Sequence, residues 1–378
     1  MNVDIIVTGN TFGSTLLNFL ILKNFDVSLV HILPEISIIK DIRLIIPAST
    51  FKNLSIPFKL ILESGINSYN KIHFYLANQE RVLQHEKKIL FSTTLDRLRK
   101  FLFNNIKSPK SLKTIQASVK ELHFSDNKII LKLSNNRVLS CQYLIVCDDF
   151  WGSTWNLLNF KPQHTGGWII KIPQTKLIQT KPFIALGYSK KALVISDSET
   201  IIFAKHISKE YTIEDLIYNF LLTSRVVEKL VINEWNKYVL PITTKVPHFP
   251  EEIRAKRIFF ITEYLGLMNC FIPEYTTLTS MLSKELIDNL DIKIKVLEDF
   301  IPTISKIIEY NQIFMKLINF INSFPLVFFK NDDKDKIITD LLLGNITPDI
   351  LDQKFKNIFE NYGRNFDIVL SDRALNES

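Results

Sequence analysis

The fold is decided by the stretch VDIIVTGNTFGST at residues 3–15. The run at 3–8, in which every residue but Asp4 is apolar or β-branched, predicts a strand that is buried on both faces. The polar, glycine-containing stretch 9–14 predicts a turn, and TLLNFLILK at 15–23 predicts a helix. FDVSLV at 25–30 predicts the next strand. A strand, turn, helix and strand within about 30 residues are typical of the opening of a dinucleotide-binding fold.

Composition restricts the class of protein further. The chain has 378 residues, of which 46% are hydrophobic and 22% are charged. These values exclude a disordered chain, a coiled coil and a small disulfide scaffold. Only 10 residues are glycine, where average usage would give about 26. The net charge of +7 suits an anionic membrane surface, nucleic acid or an acidic partner, but a solvated basic surface is the simpler explanation and no motif indicates nucleic acid.

The cysteines and histidines indicate neither disulfides nor a metal. Cys141, Cys147 and Cys270 form no CxxC pair, so we predict buried thiols in a reducing, cytoplasmic compartment. The histidines show no HxH or HxxxH spacing, and we predict no metal site. We also predict neither a signal peptide nor a transmembrane helix, because no basic leader and no long uncharged apolar run is present. A peripheral position on the inner face of the membrane is compatible with the basic charge.

Two later segments resemble the same group of proteins as the opening does. LSCQYLIVCDDFWGSTWNLL at 139–158 resembles a strand, a GADG-type turn and a short helix. RIFFITEYLGLMNCFIPEYTTLTSMLSKELI at 257–287 resembles a strand, a GDAAG turn and a helix with a small-Met-Leu-Ser segment. Together with 3–15, they make the chain similar to the geranylgeranyl reductases, within the aromatic-hydroxylase-like flavoproteins that use FAD. The resemblance implies a Rossmann-type FAD-binding domain interleaved with an antiparallel β-sheet substrate domain, followed by a helical C-terminus.

The resemblance also implies where FAD would bind. The expected cofactor contacts are Gly9, Asn10, Gly13 and Ser14 at the first turn, His31 at the end of the second strand, Asp148, Glu263 and Gly266. Thr8 and Asn10 occupy the first two motif glycine positions, which serve the tight turn and the approach of the pyrophosphate, and only the third glycine, Gly13, is kept. Close helix packing is the simpler explanation for Gly13. For Asp148 and Glu263, capping of a loop explains the residue as well as contact with FAD does.

The resulting architecture is an α/β protein in three parts. We predict a discontinuous Rossmann-type domain at 1–160 and 250–290, an antiparallel sheet domain at 161–250, and a helical region at 291–378. The strand at 257–262 then lies in the same parallel sheet as the opening strand. A structure with Ile5 and Phe260 in separate sheets would contradict this architecture.

Two functions from different classes remain open, and the sequence offers no catalytic residue for either. FAD motifs changed at four sites favour a degenerate, non-catalytic flavoprotein-fold subunit that binds a protein partner or a membrane-lipid surface. We expect its binding surface in the helices of 291–378, where lysines interrupt apolar positions. The alternative is an active FAD-dependent oxidoreductase that reduces double bonds of an isoprenoid lipid or a similar hydrophobic substrate. A prenyl-protein escort on this fold is a third hypothesis.

Overall fold

The fold was obtained as a computed structural model. It describes residues 1–35, 43–76, 79–106, 112–125, 128–148, 153–159, 167–173, 183–188, 192–196, 200–206, 238–242, 248–262, 265, 276–290, 293–323 and 333–360. The predicted FAD contacts Glu263 and Gly266 and the thiol of Cys270 lie outside these residues. So does the stretch 212–230, whose sequence pattern predicts a helix.

The described elements alternate between strands and helices along the first part of the chain. The strands are β1 (Asn2–Thr8), β2 (Leu29–Leu33), β3 (Arg43–Pro47), β4 (Asn67–Tyr69), β5 (Lys71–Leu76), β6 (Gln79–Gln84), β7 (Leu90–Thr94), β8 (Leu112–Gln116), β9 (Val119–Ser125), β10 (Lys128–Leu133), β11 (Val138–Val146), β12 (Gly167–Pro173), β13 (Phe183–Tyr188), β14 (Ala192–Ser196), β15 (Thr200–His206), β16 (Tyr238–Ile242) and β17 (Ile258–Phe260). The helices are α1 (Phe12–Asn24), α2 (Ala48–Asn53), α3 (Phe58–Glu63), α4 (Leu95–Asn104), α5 (Ser153–Leu157), α6 (Glu251–Arg254), α7 (Thr276–Asn289), α8 (Leu297–Ser323), α9 (Asp333–Leu343) and α10 (Pro348–Glu360).

The first sheet carries the candidate site. Its strands follow the order β8-β2-β1-β11-β10-β9, and β17 lies beside β11. Strands β8, β2, β1, β11 and β17 are parallel to one another. β10 pairs with the first half of one edge of β11, whereas β17 pairs with Leu144–Val146 on the second half. Ile5 and Phe260 therefore lie in one sheet, and this prediction is confirmed.

Two boundaries of the opening unit differ from the sequence prediction. Helix α1 begins at Phe12, three residues earlier than predicted, and β2 begins four residues later than the predicted strand at 25–30. The carboxylate of Asp4 accepts hydrogen bonds from the amide and the hydroxyl of Ser28, at 2.8 and 2.6 Å, and these contacts hold the chain just before β2 begins. His31 consequently lies inside β2 and not at its end.

Helix α1 is buried along most of its length, and Gly13 permits its closest contact. A Cβ atom at Gly13 would lie 2.8 Å from the carbonyl oxygen of Ile261 and 3.5 Å from Cγ2 of Thr279 in α7. The first of these distances is shorter than real Cβ contacts, so only glycine lets α1 approach the segment after β17. Gly13 therefore serves the close packing of α1 against the segment that follows β17.

A second sheet and a small third sheet complete the β structure. The second sheet has the order β16-β12-β15-β14-β13-β5-β6, with antiparallel pairs except for the parallel pair of β13 and β5. Two of its strands, β5 and β6, come from inside the predicted 1–160 segment. The third sheet has the order β3-β7-β4 and packs against α2, α4 and α7. The domain boundaries remain predictions.

The C-terminal helices pack on the rest of the chain through the first half of α8 and through α9, which contacts α2. Phe300, Ile304 and Ile308 are buried, and the ring of Phe300 meets Phe259 of β17 edge-on at 5.7 Å between centroids. These apolar positions are thus covered by the chain itself, as amphipathic helices of globular proteins usually are. Within the described residues, no helix is both long and apolar enough to cross a bilayer.

Candidate functional site

The candidate site is the turn between β1 and α1, at the carboxyl ends of the parallel strands. In open α/β sheets, this edge is where ligands bind. Gly9 has a φ of +93°, and a Cβ atom there would lie 2.2 Å from the carbonyl oxygen of Cys147, next to the end of β11. Position 9 must therefore be glycine for two reasons: its backbone conformation disfavours any side chain, and β1 and β11 approach too closely there to leave room for a Cβ atom.

The amino end of α1 is capped by its own side chains. Ser14 donates its amide hydrogen to the hydroxyl oxygen of Thr11 at 3.2 Å, and Thr11 donates its amide hydrogen to the hydroxyl oxygen of Ser14 at 3.0 Å. The Thr11 hydroxyl in turn donates to the Cys147 carbonyl oxygen at 2.9 Å. This reciprocal capping box satisfies two of the backbone donors that an open helix end would offer to an anion.

An arginine that sequence reasoning missed reaches the turn from α4. Nη2 of Arg99 donates to Oδ1 of Asn10 at 2.5 Å and lies 3.5 Å from Oγ1 of Thr15, while Nη1 lies 3.3 Å from Asp96. Burial lowers the pKa of Arg99, and the nearby Asp96 carboxylate opposes that shift. Asn10 and Arg99 are 89 residues apart. The amphipathic pattern of α4 places Arg99 beside an apolar face but does not indicate its partner.

His31 is buried and hydrogen-bonded instead of being available to a ribose. Its ring is 3% exposed, and Nε2 lies 2.7 Å from the carbonyl oxygen of Gly9. Because a carbonyl oxygen only accepts, Nε2 carries the hydrogen. Burial lowers the pKa of His31 to about 4, the hydrogen bond to Gly9 acts in the opposite direction, and the positive charge of Arg99 lowers it further. The ring is therefore neutral at physiological pH.

Replacing His31 with glutamine is expected to remove part of the acid sensitivity of the fold. An unfolded histidine binds a proton near pH 6.5, whereas folded His31 does so only near pH 4, so the unfolded state binds more protons between these values. Above pH 6.5 the contribution of the neutral His31 to the free energy of unfolding is fully present. As the pH falls from 6.5 towards 4, the free energy of unfolding decreases by about 3 kcal/mol through this residue.

The check is urea unfolding of both proteins across this pH range. Glutamine keeps an N–H donor for the Gly9 carbonyl without a titrating ring, so its unfolding free energy should fall less steeply in acid. Asp148 titrates in both proteins, and the difference between the two curves therefore isolates His31. Parallel curves for His31→Gln and the wild type would contradict the burial of a neutral imidazole.

Asp148 follows β11 and caps the short helix α5. Its carboxylate accepts a hydrogen bond from the amide of Thr154 at 3.1 Å, and the side chain is 6% exposed. Burial raises the pKa of Asp148, and the contacts with Thr154 and Thr8 partly offset this effect. The Thr8 hydroxyl faces the carboxyl group but makes no hydrogen bond of normal geometry within the described chain. The described contacts of Asp148 are those of a loop cap.

Two backbone amides of the turn and the Asn10 side chain are already engaged at the place where a dinucleotide diphosphate would bind. Residues 8–15 are all buried. A diphosphate at such a turn binds backbone N–H groups at the helix start, and the amides of Thr11 and Ser14 already donate to side chains. The Asn10 side chain, at a position where the motif needs no side chain, is tied to Arg99. No group of three or more His, Cys, Asp or Glu side chains in the described chain is arranged to hold a metal ion.

Comparison with known proteins identifies the fold. No protein-family profile and no curated protein matches the chain by sequence. A flavoprotein/dehydrogenase from Cytophaga hutchinsonii superposes with a TM-score of 0.67 at 11% identity, over 91% of this chain and 93% of that chain. PqsL, a probable FAD-dependent monooxygenase from Pseudomonas aeruginosa, superposes with a TM-score of 0.60 at 12% identity, over 85% of this chain and 97% of that chain. The halogenase PltM superposes with a TM-score of 0.66 at 11% identity, over 97% of this chain and 86% of that chain.

These similarities cover most of both chains in each comparison. The chain therefore has a mixed α/β fold that matches the fold of these flavoproteins, which confirms the predicted fold class. At this level of identity the similarity concerns the fold, and function must be argued from the site. The geranylgeranyl reductases are one branch among the proteins that the resemblance indicated, and nothing in these comparisons singles them out.

Proposed function

We propose that the chain is a non-catalytic binding protein built on an FAD-dependent flavoprotein fold, similar to a geranylgeranyl reductase whose cofactor site has degenerated. One observation carries the proposal: the dinucleotide turn is closed by the side chains of the chain itself. The capping box of Thr11 and Ser14 takes up two of the backbone donors that a diphosphate could use, and the contact between Arg99 and Asn10 fixes a side chain where the motif needs none. In the flavoproteins that the chain resembles, a carboxylate binds the ribose at the position of His31. Here the residue is a histidine that is buried and neutral.

The size of the expected loss supports this proposal. A typical hydrogen bond contributes 0.5–1.5 kcal/mol, and bonds to charged groups contribute more. Three or four pre-empted contacts together with the added Asn10 side chain amount to about 4 kcal/mol, or about a thousandfold in affinity. A flavin site of nanomolar affinity would thereby become micromolar or weaker, and it would lose its cofactor during purification.

The second candidate is an active FAD-dependent oxidoreductase acting on an isoprenoid or another hydrophobic substrate. The superposition on a probable FAD-dependent monooxygenase over 85% of this chain favours it. In that case FAD would supply the hydride chemistry, and Gly9, Asn10 and Asp148 would lie at its edge. The capping box of Thr11 and Ser14 and the contact of Arg99 with Asn10 would then have to rearrange where they meet the diphosphate.

The visible spectrum of the purified full-length protein distinguishes the two candidates. We expect no flavin bands in the protein as isolated, and no stoichiometric retention of FAD after incubation and gel filtration. The flavoprotein/dehydrogenase from Cytophaga hutchinsonii is a suitable positive control for the extraction, since it is named as a flavoprotein. Protein that elutes yellow with one FAD per chain would overturn the proposal and favour the oxidoreductase.

A binding protein of this kind needs a partner, and three classes of partner remain open. A protein partner or a membrane-lipid surface fits the net charge of +7. A hydrophobic isoprenoid ligand is the third class, by similarity to the reductases. The binding surface expected in 291–378 remains a prediction, although the described first half of α8 already packs within the chain.

A further inference from the structure

Asn18 is a fully buried polar residue in the apolar part of helix α1. It interrupts the run TLLNFLILK at 15–23 and is 0% exposed. Within the described chain, neither Nδ2 nor Oδ1 of Asn18 has a hydrogen-bond partner. Buried side-chain amides almost always bond to protein groups or to ordered water, because an unpaired buried amide is costly. Asn18 therefore needs a polar partner.

The helical positions around Asn18 indicate on which side of α1 that partner lies. At 3.6 residues per turn, Asn18 lies about 140° around the helix from Gly13, which faces α7. It lies only about 40° from Ser14 and about 60° from Thr15. The Ser14 hydroxyl is already engaged in the capping box, where it also donates to the Thr11 carbonyl oxygen at 3.0 Å. The partner is therefore to be sought on the side of α1 that carries Thr15.

The guanidinium of Arg99 in α4 lies on this side of α1. Nη2 of Arg99 lies 3.5 Å from Oγ1 of Thr15, which is one helical turn from Asn18. Helices α1 and α4 pack against each other, and the Arg99 side chain is 26% exposed. A guanidinium has five N–H donors. Its described contacts with Asn10, Thr15 and Asp96 engage at most three of them, so donors remain for a further acceptor.

A water molecule matches the chemistry of these two side chains. The Asn18 amide offers an acceptor oxygen and two N–H donors, whereas the guanidinium only donates. No direct hydrogen bond joins Asn18 to Arg99 within the described chain. A water accepts from the guanidinium and donates to Oδ1 of Asn18, and a buried water typically has two to four such polar partners. An anion would leave Oδ1 of Asn18 unpaired, and a cation would be repelled by the guanidinium.

We propose that Asn18, Thr15 and Arg99 form a binding site for an internal water molecule between α1 and α4. The water accepts a hydrogen bond from the guanidinium and donates one to Oδ1 of Asn18, with the Thr15 hydroxyl as a further partner. Asn18 is thereby a positioning residue for Arg99, the side chain that contacts Asn10 at the dinucleotide turn. The site does not depend on whether that turn binds FAD.

A crystal structure of the full-length protein tests the site directly. We expect electron density for a water molecule within about 3.2 Å of both the Asn18 amide and the Arg99 guanidinium. An Asn18 amide that bonds directly to a protein group, or a dry contact between the two side chains, overturns the proposal.

A double-mutant cycle measures the coupling between Asn18 and Arg99 in solution. In the wild-type background, Asn18→Leu should raise the unfolding equilibrium constant about tenfold, because it removes the acceptor of the water that the guanidinium holds. In an Arg99→Met background, the same substitution should leave that constant unchanged or lower it, because it then removes a buried amide and leaves no charged donor unpaired. An equal effect in both backgrounds, or an Asn18→Leu protein as stable as the wild type, overturns the proposal.

Ser283→Ala is the matched control for the cycle. The Ser283 hydroxyl in α7 is also buried and has no hydrogen-bond partner within the described chain. Helix α7 meets α1 on the side of Gly13, away from Arg99. Ser283→Ala should therefore change the unfolding constant by the same factor in both backgrounds. A control that depends on the background as strongly as Asn18→Leu also overturns the proposal, since the coupling would then not be specific to Asn18.

Discussion

Replacing Gly9 with alanine is expected to destabilise the protein by about 4 kcal/mol or more, among the largest effects of a single substitution. Two costs add at this position. The φ of +93° is strained for any residue with a Cβ, and the left-handed region alone costs roughly 1–2 kcal/mol. The new Cβ would also lie 2.2 Å from the carbonyl oxygen of Cys147, a backbone atom that moves only if β11 moves.

Gly65→Ala is the matched control for this substitution. Gly65 has a similar φ of +74°, but the space around it is open in the described chain. It should therefore lose only the conformational cost, roughly 1–2 kcal/mol. Chemical denaturation of the two variants then separates strain from collision. Equal losses for Gly9→Ala and Gly65→Ala would show that β1 and β11 do not approach as closely as the structure has them.

Replacing Asn10 with glycine is expected to raise the affinity for FAD at least tenfold. The substitution removes the side chain from the position where the motif needs none, and it releases the Arg99 guanidinium from Oδ1 of Asn10. A freed arginine beside a helix start is a good partner for a diphosphate, since its fork of donors matches the phosphate oxygens. Tenfold corresponds to about 1.4 kcal/mol, close to one recovered contact.

Quenching of flavin fluorescence during titration measures this change. Asn10→Asp is the matched control, because it keeps the shape of the side chain and strengthens the tie to Arg99, so it should bind FAD no better than the wild type. Unchanged affinity in Asn10→Gly would show that the capping box of Thr11 and Ser14 is the real barrier. One FAD per chain in the wild-type protein would contradict the proposal that the side chains of the turn close the cofactor site.

The order of elements around the turn was predictable because it depends on local patterns. The continuous apolar run of β1 and the apolar helix after it identified the opening unit, and the buried run near Phe260 identified the late strand of the same sheet. The apolar runs at 128–133 and 138–146 predict strands with the bounds that β10 and β11 have, and the helix with the small-Met-Leu-Ser segment is α7. Each of these elements has a hydrophobic pattern long enough to identify its type from its own residues, whatever strands or helices it then contacts.

The boundaries of β2 could not be predicted with the same accuracy. Its start depends on the contact of Asp4 with Ser28, which joins residues 24 positions apart, and on pairing with β1 and β8. A shift of a few residues decides whether His31 faces a ligand at the strand end or lies buried inside the sheet. The sequence prediction placed it at the end, and the pairing register placed it inside.

The sequence alone determined that this chain is an α/β protein with a dinucleotide-type opening, two altered motif glycine positions and one retained glycine. Only the tertiary structure decided that Arg99 closes the turn on Asn10, that the Cys147 carbonyl oxygen requires Gly9, and that His31 is neutral. Local periodicity specifies which face of an element is buried. It does not specify which distant side chain meets that face, because that depends on the packing of elements whose residues are far apart in the chain.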